Sequence, residues 1–368
     1  MKRVFLFLIL SLSFLCVQAQ DFATLNQRFF DLFQAGKLRE ALPVALQALQ
    51  AAKKERGDQH IDLAISFDNV GETYFQLQSF DSCKPFFREA ERVYKKVLGN
   101  QPTVEVAFIH FKFALIHDQR EQIDSANLFY NLAWKWYLNN ASEGYEDFIG
   151  VLDSYANYLD VTQQLPSLIN VLEVALPQIE KKQTKQSETY YRYSNLYAET
   201  LYLQLQIEKA LQQLQMNIGL AKHLFGQSSL QYAKSMEFYG NALRESGKLQ
   251  EATTWLEQAV QIKKQIKDLD EAEWIQTYLM LGNLHADKAN FQLADKYYNQ
   301  SFILAKRLAS DNQNLLVSIL KSMGYTHIDA GRMGEAKLEI QQALQIARKA
   351  NMMEQGELLL SLANIDLQ

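Results

Sequence analysis

The chain has 368 residues, 48% hydrophobic and 21% charged, with 37 basic against 42 acidic side chains and a net charge of −5. Only 15 Gly and 5 Pro are present, which excludes a turn-rich β-sandwich, a collagen-like repeat and long low-complexity linkers. The apolar fraction excludes a disordered chain, and the acidic balance argues against nucleic acid, whose binding rests on neutralising phosphates.

In chain order, Lys2 and Arg3 precede a twelve-residue run of apolar residues and Ser, Val4 to Leu15. A more polar Cys16-Val17-Gln18-Ala19 leads from there into Gln20-Asp21. This is the layout of a secretory signal peptide over residues 1–19, cleaved after Ala19. An uncleaved anchor is the alternative, but twelve residues of helix rise about 18 Å against a hydrocarbon core of about 30 Å. Lipidation at Cys16 is disfavoured because Leu15 is too large to precede it. No later stretch reaches eighteen apolar residues, so no membrane span is expected after cleavage. The mature chain is expected to be exported, periplasmic or extracellular. It carries 35 basic against 42 acidic side chains, a net charge of −7. One cysteine remains, Cys83, so no internal disulfide is expected.

From residue 20 onward a fixed period takes over. Phe29, Gly71, Ala114, Ala156, Ala198, Gly240, Gly282 and Gly324 follow one another at 42 residues, once at 43. Nine residues after each stands a large apolar side chain, from Leu38 and Phe80 to Phe291 and Met333. Twelve after stands a small one in seven of eight cases, including Ala41, Cys83, Ala126 and Ala336. Alternating small and large columns are what two close-packed helices need. Each period therefore predicts a helix A carrying the anchor, a short turn such as Ser246-Gly247-Lys248, and a helix B carrying the small column. Pro43 and Pro85 share one phase, expected near the first turn of helix B, and Pro177 is expected to kink or end its helix.

The pairs Leu281-Gly282 and Met323-Gly324, the turn glycines Gly247 and Gly331, and Ala252, Ala294 and Ala336 resemble the tetratricopeptide repeat. The 42-residue period is similar to the longer variety found in kinesin light chains and in bacterial proteins. The resemblance implies an all-α fold, an α-solenoid: a right-handed superhelix of antiparallel helix pairs with eight repeats and a terminal helix. The expected boundaries are a solenoid over 20–351 and a C-terminal capping or docking helix over 352–368. That last segment has Leu358, Leu359, Leu360, Leu362, Ile365 and Leu367. So apolar an end suggests docking on another protein or self-association with a second copy.

Residues that look chemical read as structural. His117, His285 and His327 share the column three after the anchor, where Tyr74 also stands, and fill an aromatic packing slot. Cys83 lies in the small column, and pairs such as Lys263-Lys264 fall near helix C-termini, where the dipole favours cations. A positive ridge meeting an acidic partner is the alternative for those pairs. No phosphate loop, nucleophile elbow or metal-ligand spacing occurs, so no catalytic residue, cofactor or metal is expected and the chain is not read as an enzyme.

What the resemblance implies is a concave face, lined by helix A, that holds a protein or peptide. Positions three before, one after and four after the anchor share that face. They give Asp68, Glu72, Phe75, Asn157, Asn195, Glu199, Tyr202, Asn241, Arg244 and Asn283 as groove residues. Asn offers donor and acceptor to a peptide backbone, and aromatic rings offer rigid apolar contact. Asp68, Glu72, Asp118, Asp153 and Asp160 favour a basic or neutral segment in the first half. The function expected is an exported protein-interaction scaffold. The alternative is a sensory or regulatory partner acting in trans with a histidine kinase, a DNA-binding regulator or a CHAT-type peptidase.

Overall fold

The computed structural model describes residues 21–308 and 312–367; the signal-peptide assignment to residues 1–19 lies outside them. Among the described residues there are seventeen helices and no strand. They divide into two compact units, one ending at Tyr158 and one beginning at Leu159. The first holds α1 (Phe22–Gln34), α2 (Leu38–Arg56), α3 (Ile61–Gln76), α4 (Phe80–Leu98), α5 (Val104–Asp118) and α6 (Ile123–Asn139). Helix α7 (Tyr145–Val161) crosses the division. The second unit holds α8 (Leu165–Gln183), α9 (Glu188–Leu203), α10 (Ile207–Phe225), α11 (Leu230–Glu245) and α12 (Leu249–Gln265). It continues with α13 (Glu273–Asp287), α14 (Phe291–Leu308), α15 (Gln313–Asp329), α16 (Met333–Lys349) and α17 (Gln355–Asp366). Within the units α1 packs on α2, α3 on α4, α5 on α6, α9 on α10, and so on to α15 on α16. This is an all-α repeat fold of helical hairpins.

Each hairpin turn uses one residue of left-handed backbone: Gly36, Gln78, Glu121, Gln163, Leu205, Gly247, Ala289 and Gly331, with φ between 54° and 78°. At the last of these, Arg332 N–H donates to His327 O at 2.8 Å, and the same six-residue closure recurs from Ser79 to Tyr74. Glycine occupies only three of these eight sites, so the turn column is nearly invisible in the sequence. The one 43-residue interval comes from an extra residue between Gly99 and Thr103, ahead of α5. Side-chain oxygens of Thr103, Ser187 and Ser229 then cap α5, α9 and α11.

A second left-handed column closes several B helices. Gly57, Gly99 and Gly226 adopt φ of 77°, 92° and 88° with ψ near 180°, a region open essentially to glycine alone. Thr184 stands in that column at φ 75°, ψ 162°. Its strain is about 1–3 kcal/mol, partly offset by the unfolded-state entropy a glycine would add. Thr184→Gly is therefore expected to stabilise the protein by about 1 kcal/mol. Urea denaturation followed by circular dichroism checks it, and a lower midpoint would count against the strain.

The anchor residues work in pairs with the residue sixteen further on. A Cβ on Gly71 would meet the Phe87 ring at 2.7 Å, on Gly282 the Tyr298 ring at 2.5 Å, and on Gly324 Ile340 Cδ1 at 2.7 Å. At the same two positions in the first hairpin stand Phe29 and Ala45, both buried in one core. The large and small partners have exchanged places, so Phe29 keeps the packing rule it breaks in the anchor column. Cys83 is fully buried in the small column, and burial pushes its thiol up to about 11.

Pro43 and Pro85 lie at the sixth position of α2 and α4, just past the first turn. Pro177 does not end α8, which continues to Gln183. At the C-terminus α17 lays buried Leu358 and Ile365 and half-buried Leu362 into the core of α15 and α16. Leu359 and Leu360 on its other side are 45% and 64% exposed.

Candidate functional site

The histidine column behaves as a stacking slot in two of its three members. His117 stacks on Phe129 at 5.4 Å and His285 on Tyr297 at 5.5 Å, as Tyr74 does on Phe86. At His327 the facing position is Glu339, and the slot becomes ionic. Nδ1 lies 2.6 Å from Glu339 Oε2 and Nε2 lies 2.9 Å from Asp295 Oδ1, with Arg332 also on Asp295. Two carboxylates can each accept only if both ring nitrogens donate. Burial alone would lower the imidazole pKa, but the bonds to Glu339 and Asp295 outweigh it and hold it above the ordinary value. Such a group adds stability that is complete below the unfolded-state pKa of about 6.5 and lost as pH rises through the higher folded-state value. The urea midpoint should accordingly fall on the alkaline side in the wild type, and His327→Gln should flatten that fall. An unchanged slope in the variant would remove His327 from the cause.

In the first unit, Asp68, Glu72 and Phe75 lie on one face of α3, and α5 brings Lys112 and Phe108 against them. Lys112 Nζ is 3.2 Å from Glu72 Oε1 and 4.6 Å from the ring centroids of both Phe75 and Phe108. Gln76 Nε2 also donates to Glu72 Oε1, at 2.7 Å. Glu72 Oε2 and Asp68 Oδ1 are buried with no hydrogen-bond partner. Burial, then the Glu72 charge, pushes the Asp68 carboxyl up to about 7, against the pull of Lys112. Asn157, on α7, is exposed.

In the second unit the predicted residues fall on successive A helices. Asn195, Glu199 and Tyr202 lie on α9, Asn241 and Arg244 on α11, and Asn283 on α13. Asn241 Nδ2 donates to Tyr202 Oη at 2.8 Å, while Arg244 Nε donates to Asn241 Oδ1 at 3.1 Å. Arg244 also reaches Asp287 on α13 at 2.7 Å and Glu245 at 2.6 Å. Asn195 Oδ1 accepts from the buried Asn217, which also bonds Ser194. Asn283 Oδ1 accepts from Tyr298 Oη at 2.9 Å. The ladder is thus braced from helix to helix.

Sequence reasoning missed two buried lysines. Lys112 is 8% exposed, and its signal is that it is the only lysine or arginine of α5. Lys263, read above as half of a basic pair at a helix C-terminus, is 1% exposed. Its Nζ donates to Glu237 Oε2 at 2.7 Å, Thr277 Oγ1 at 2.8 Å and Glu273 O at 3.0 Å. An open cleft of about 810 Å³ lies among α11, α12, α13 and α14, with Met236 and Leu281 in its lining; none of the ten predicted residues lines it.

Tetratricopeptide repeat family models match residues 21–96, 233–266 and 275–305. No curated protein matches the chain. Among solved structures, the apo form of RapI is 13% identical, over 78% of this chain and 98% of that one, with a TM-score of 0.52. Aspartyl phosphate phosphatase F from Bacillus subtilis is 10% identical over 95% of each chain, with a TM-score of 0.50. A putative kinesin light chain of Podosopora anserina with nearly identical TPR-like repeats is 18% identical over 54% of this chain and 94% of that one, with a TM-score of 0.43. At these identities the likeness to the first two speaks for the fold alone. Three matched segments, on helical hairpins recurring every 42 residues, make the chain a tetratricopeptide-repeat protein.

Proposed function

We propose that the chain is a non-catalytic, exported interaction protein that holds a peptide or extended protein segment along the inner faces of its A helices. The observation that carries this reading is the braced ladder of Asn195, Tyr202, Asn241 and Asn283. Asn241 spends both ends of its amide on Tyr202 and Arg244, which fixes the rotamers of those two side chains. Asn283 engages only its oxygen, leaving an amide NH₂ free to bond a ligand carbonyl. Side chains held in place before binding cost less entropy to use. In the first unit the carboxyl groups of Asp68 and Glu72 favour a basic or neutral segment over an acidic one. The layout of residues 1–19 supports export through a signal peptide cleaved after Ala19.

Affinity capture of partners from the cell envelope tests the reading, with wild type compared against the Asn241→Ala, Asn283→Ala double variant. At least tenfold less captured partner is expected, with the helical circular dichroism retained. Full capture by a folded double variant would rule out the inner face as the binding surface.

A further inference from the structure

We propose that Asp68 and Glu72 form a receptor for one cationic side chain of the ligand, a lysine ammonium or an arginine guanidinium, entering beside Lys112. The proposal rests on the peptide-binding reading above and deepens it. Two carboxyl groups one helical turn apart on α3 share a single cation. Glu72 Oε1 is taken by Lys112 and Gln76, but Glu72 Oε2 and Asp68 Oδ1 are buried with no donor in the chain. Leaving a buried polar oxygen unpaired is costly, and more so for a charged one. A donor from outside relieves both.

The chemistry of that donor follows from charge and from the rings. With both acids ionised, two carboxylates against one lysine leave the site negative, so a cation closes the balance where a neutral amide would not and an anion would be repelled. Phe75 and Phe108 already hold the Lys112 ammonium over their faces and are only half-buried, so a second cation finds an aromatic wall. The charged groups facing Asp68 are Glu72 on its own helix and Lys112 and Glu105 on α5, while α4 contributes the Tyr94 phenol. Because Asp68 titrates near 7, it carries its proton at pH 6. An arriving cation displaces that proton to solvent and leaves a carboxylate–cation pair in its place. Affinity should therefore rise with pH until Asp68 is ionised.

The test uses the full chain and the pentapeptides Ac-Ala-Ala-Xaa-Ala-Ala-NH₂ with Xaa as arginine, lysine, norleucine or glutamate, measured by titration calorimetry. At pH 8 the arginine and lysine peptides should bind at least tenfold tighter than the other two. At pH 6 the advantage should shrink several-fold, with close to one proton released per peptide bound. Asp68→Asn, which keeps the shape and removes the charge, should weaken the basic peptides about tenfold and abolish the proton release. Glu72→Gln should weaken them similarly, and Asn283→Ala, in the other unit, should not. Equal binding of the norleucine peptide, unaltered binding by folded Asp68→Asn and Glu72→Gln, or no binding of any of the four would overturn the proposal. The capture experiment on Asn241 and Asn283 judges the wider reading separately. Loss of capture there without arginine selectivity here would sink this site alone.

Discussion

Replacing Lys263 by Met is expected to cost the second unit about 3–5 kcal/mol, although a methionine fits the space and the sequence places that lysine in a surface pair. The reason is the partner left behind. Glu237 is 4% exposed, and its oxygens accept from Lys263 and Thr277 at 2.7 and 2.6 Å. Burial already pushes the Glu237 carboxyl upward against the opposing pull of Lys263. Without the lysine it would take a proton rather than remain a buried anion. The loss should accordingly be larger at pH 8 than at pH 5, since a raised folded-state value means stability lost as pH rises. The double change Lys263→Met, Glu237→Leu removes both charges and should recover most of the loss, because apolar replacement of a buried pair is often neutral or better. Urea midpoints of the three proteins at the two pH values decide the matter. A single variant as stable as wild type would mean that the ion pair contributes nothing.

Gly71→Phe is expected to destabilise the first unit by about 3 kcal/mol or more, since even a Cβ there would press into the Phe87 ring. Phe87 cannot easily retreat, because Phe113 stands edge-on to it at 6.0 Å. Phe87→Ala alone should cost about 3–5 kcal/mol through the cavity it opens. Combined, Gly71→Phe and Phe87→Ala recreate the Phe29–Ala45 arrangement of the first hairpin. The combination should be more stable than either single variant. A double-mutant cycle measures that coupling directly. Additive losses would mean that large and small partners in these hairpins are not interchangeable.

Both effects bear on how far the sequence could be read. The period and the small and large columns were legible because helix packing punishes volume errors at every repeat, leaving Gly71, Gly240, Gly282 and Gly324 in one column. The stacking slot of His117 and His285 was legible for the same reason. The left-handed turn residues were not, because Gln78, Leu205 and Ala289 tolerate at modest strain what Gly36 and Gly247 adopt freely. Lys263 was misread because its distance from the anchor matches a helix C-terminus, where cations are ordinarily solvated. Only the facing Glu237 and Thr277, 26 and 14 residues away, show that it turns inward. For the predicted site, the sequence could place ten residues on A helices. It could not tell Asn241, whose amide bonds neighbours through both its oxygen and its nitrogen, from Asn283, whose oxygen alone is engaged. Lys112 escaped notice because a lysine two residues before the anchor matches no column.

The central claim, that ligands lie along the A helices, is tested most directly by photocrosslinking from defined positions. A benzoylphenylalanine at Glu199, exposed on α9, is compared with one at Gln258, exposed on α12, in cells making the protein at native levels. The account predicts partner adducts from position 199 and none from position 258. Adducts from 258 with none from 199 would contradict it.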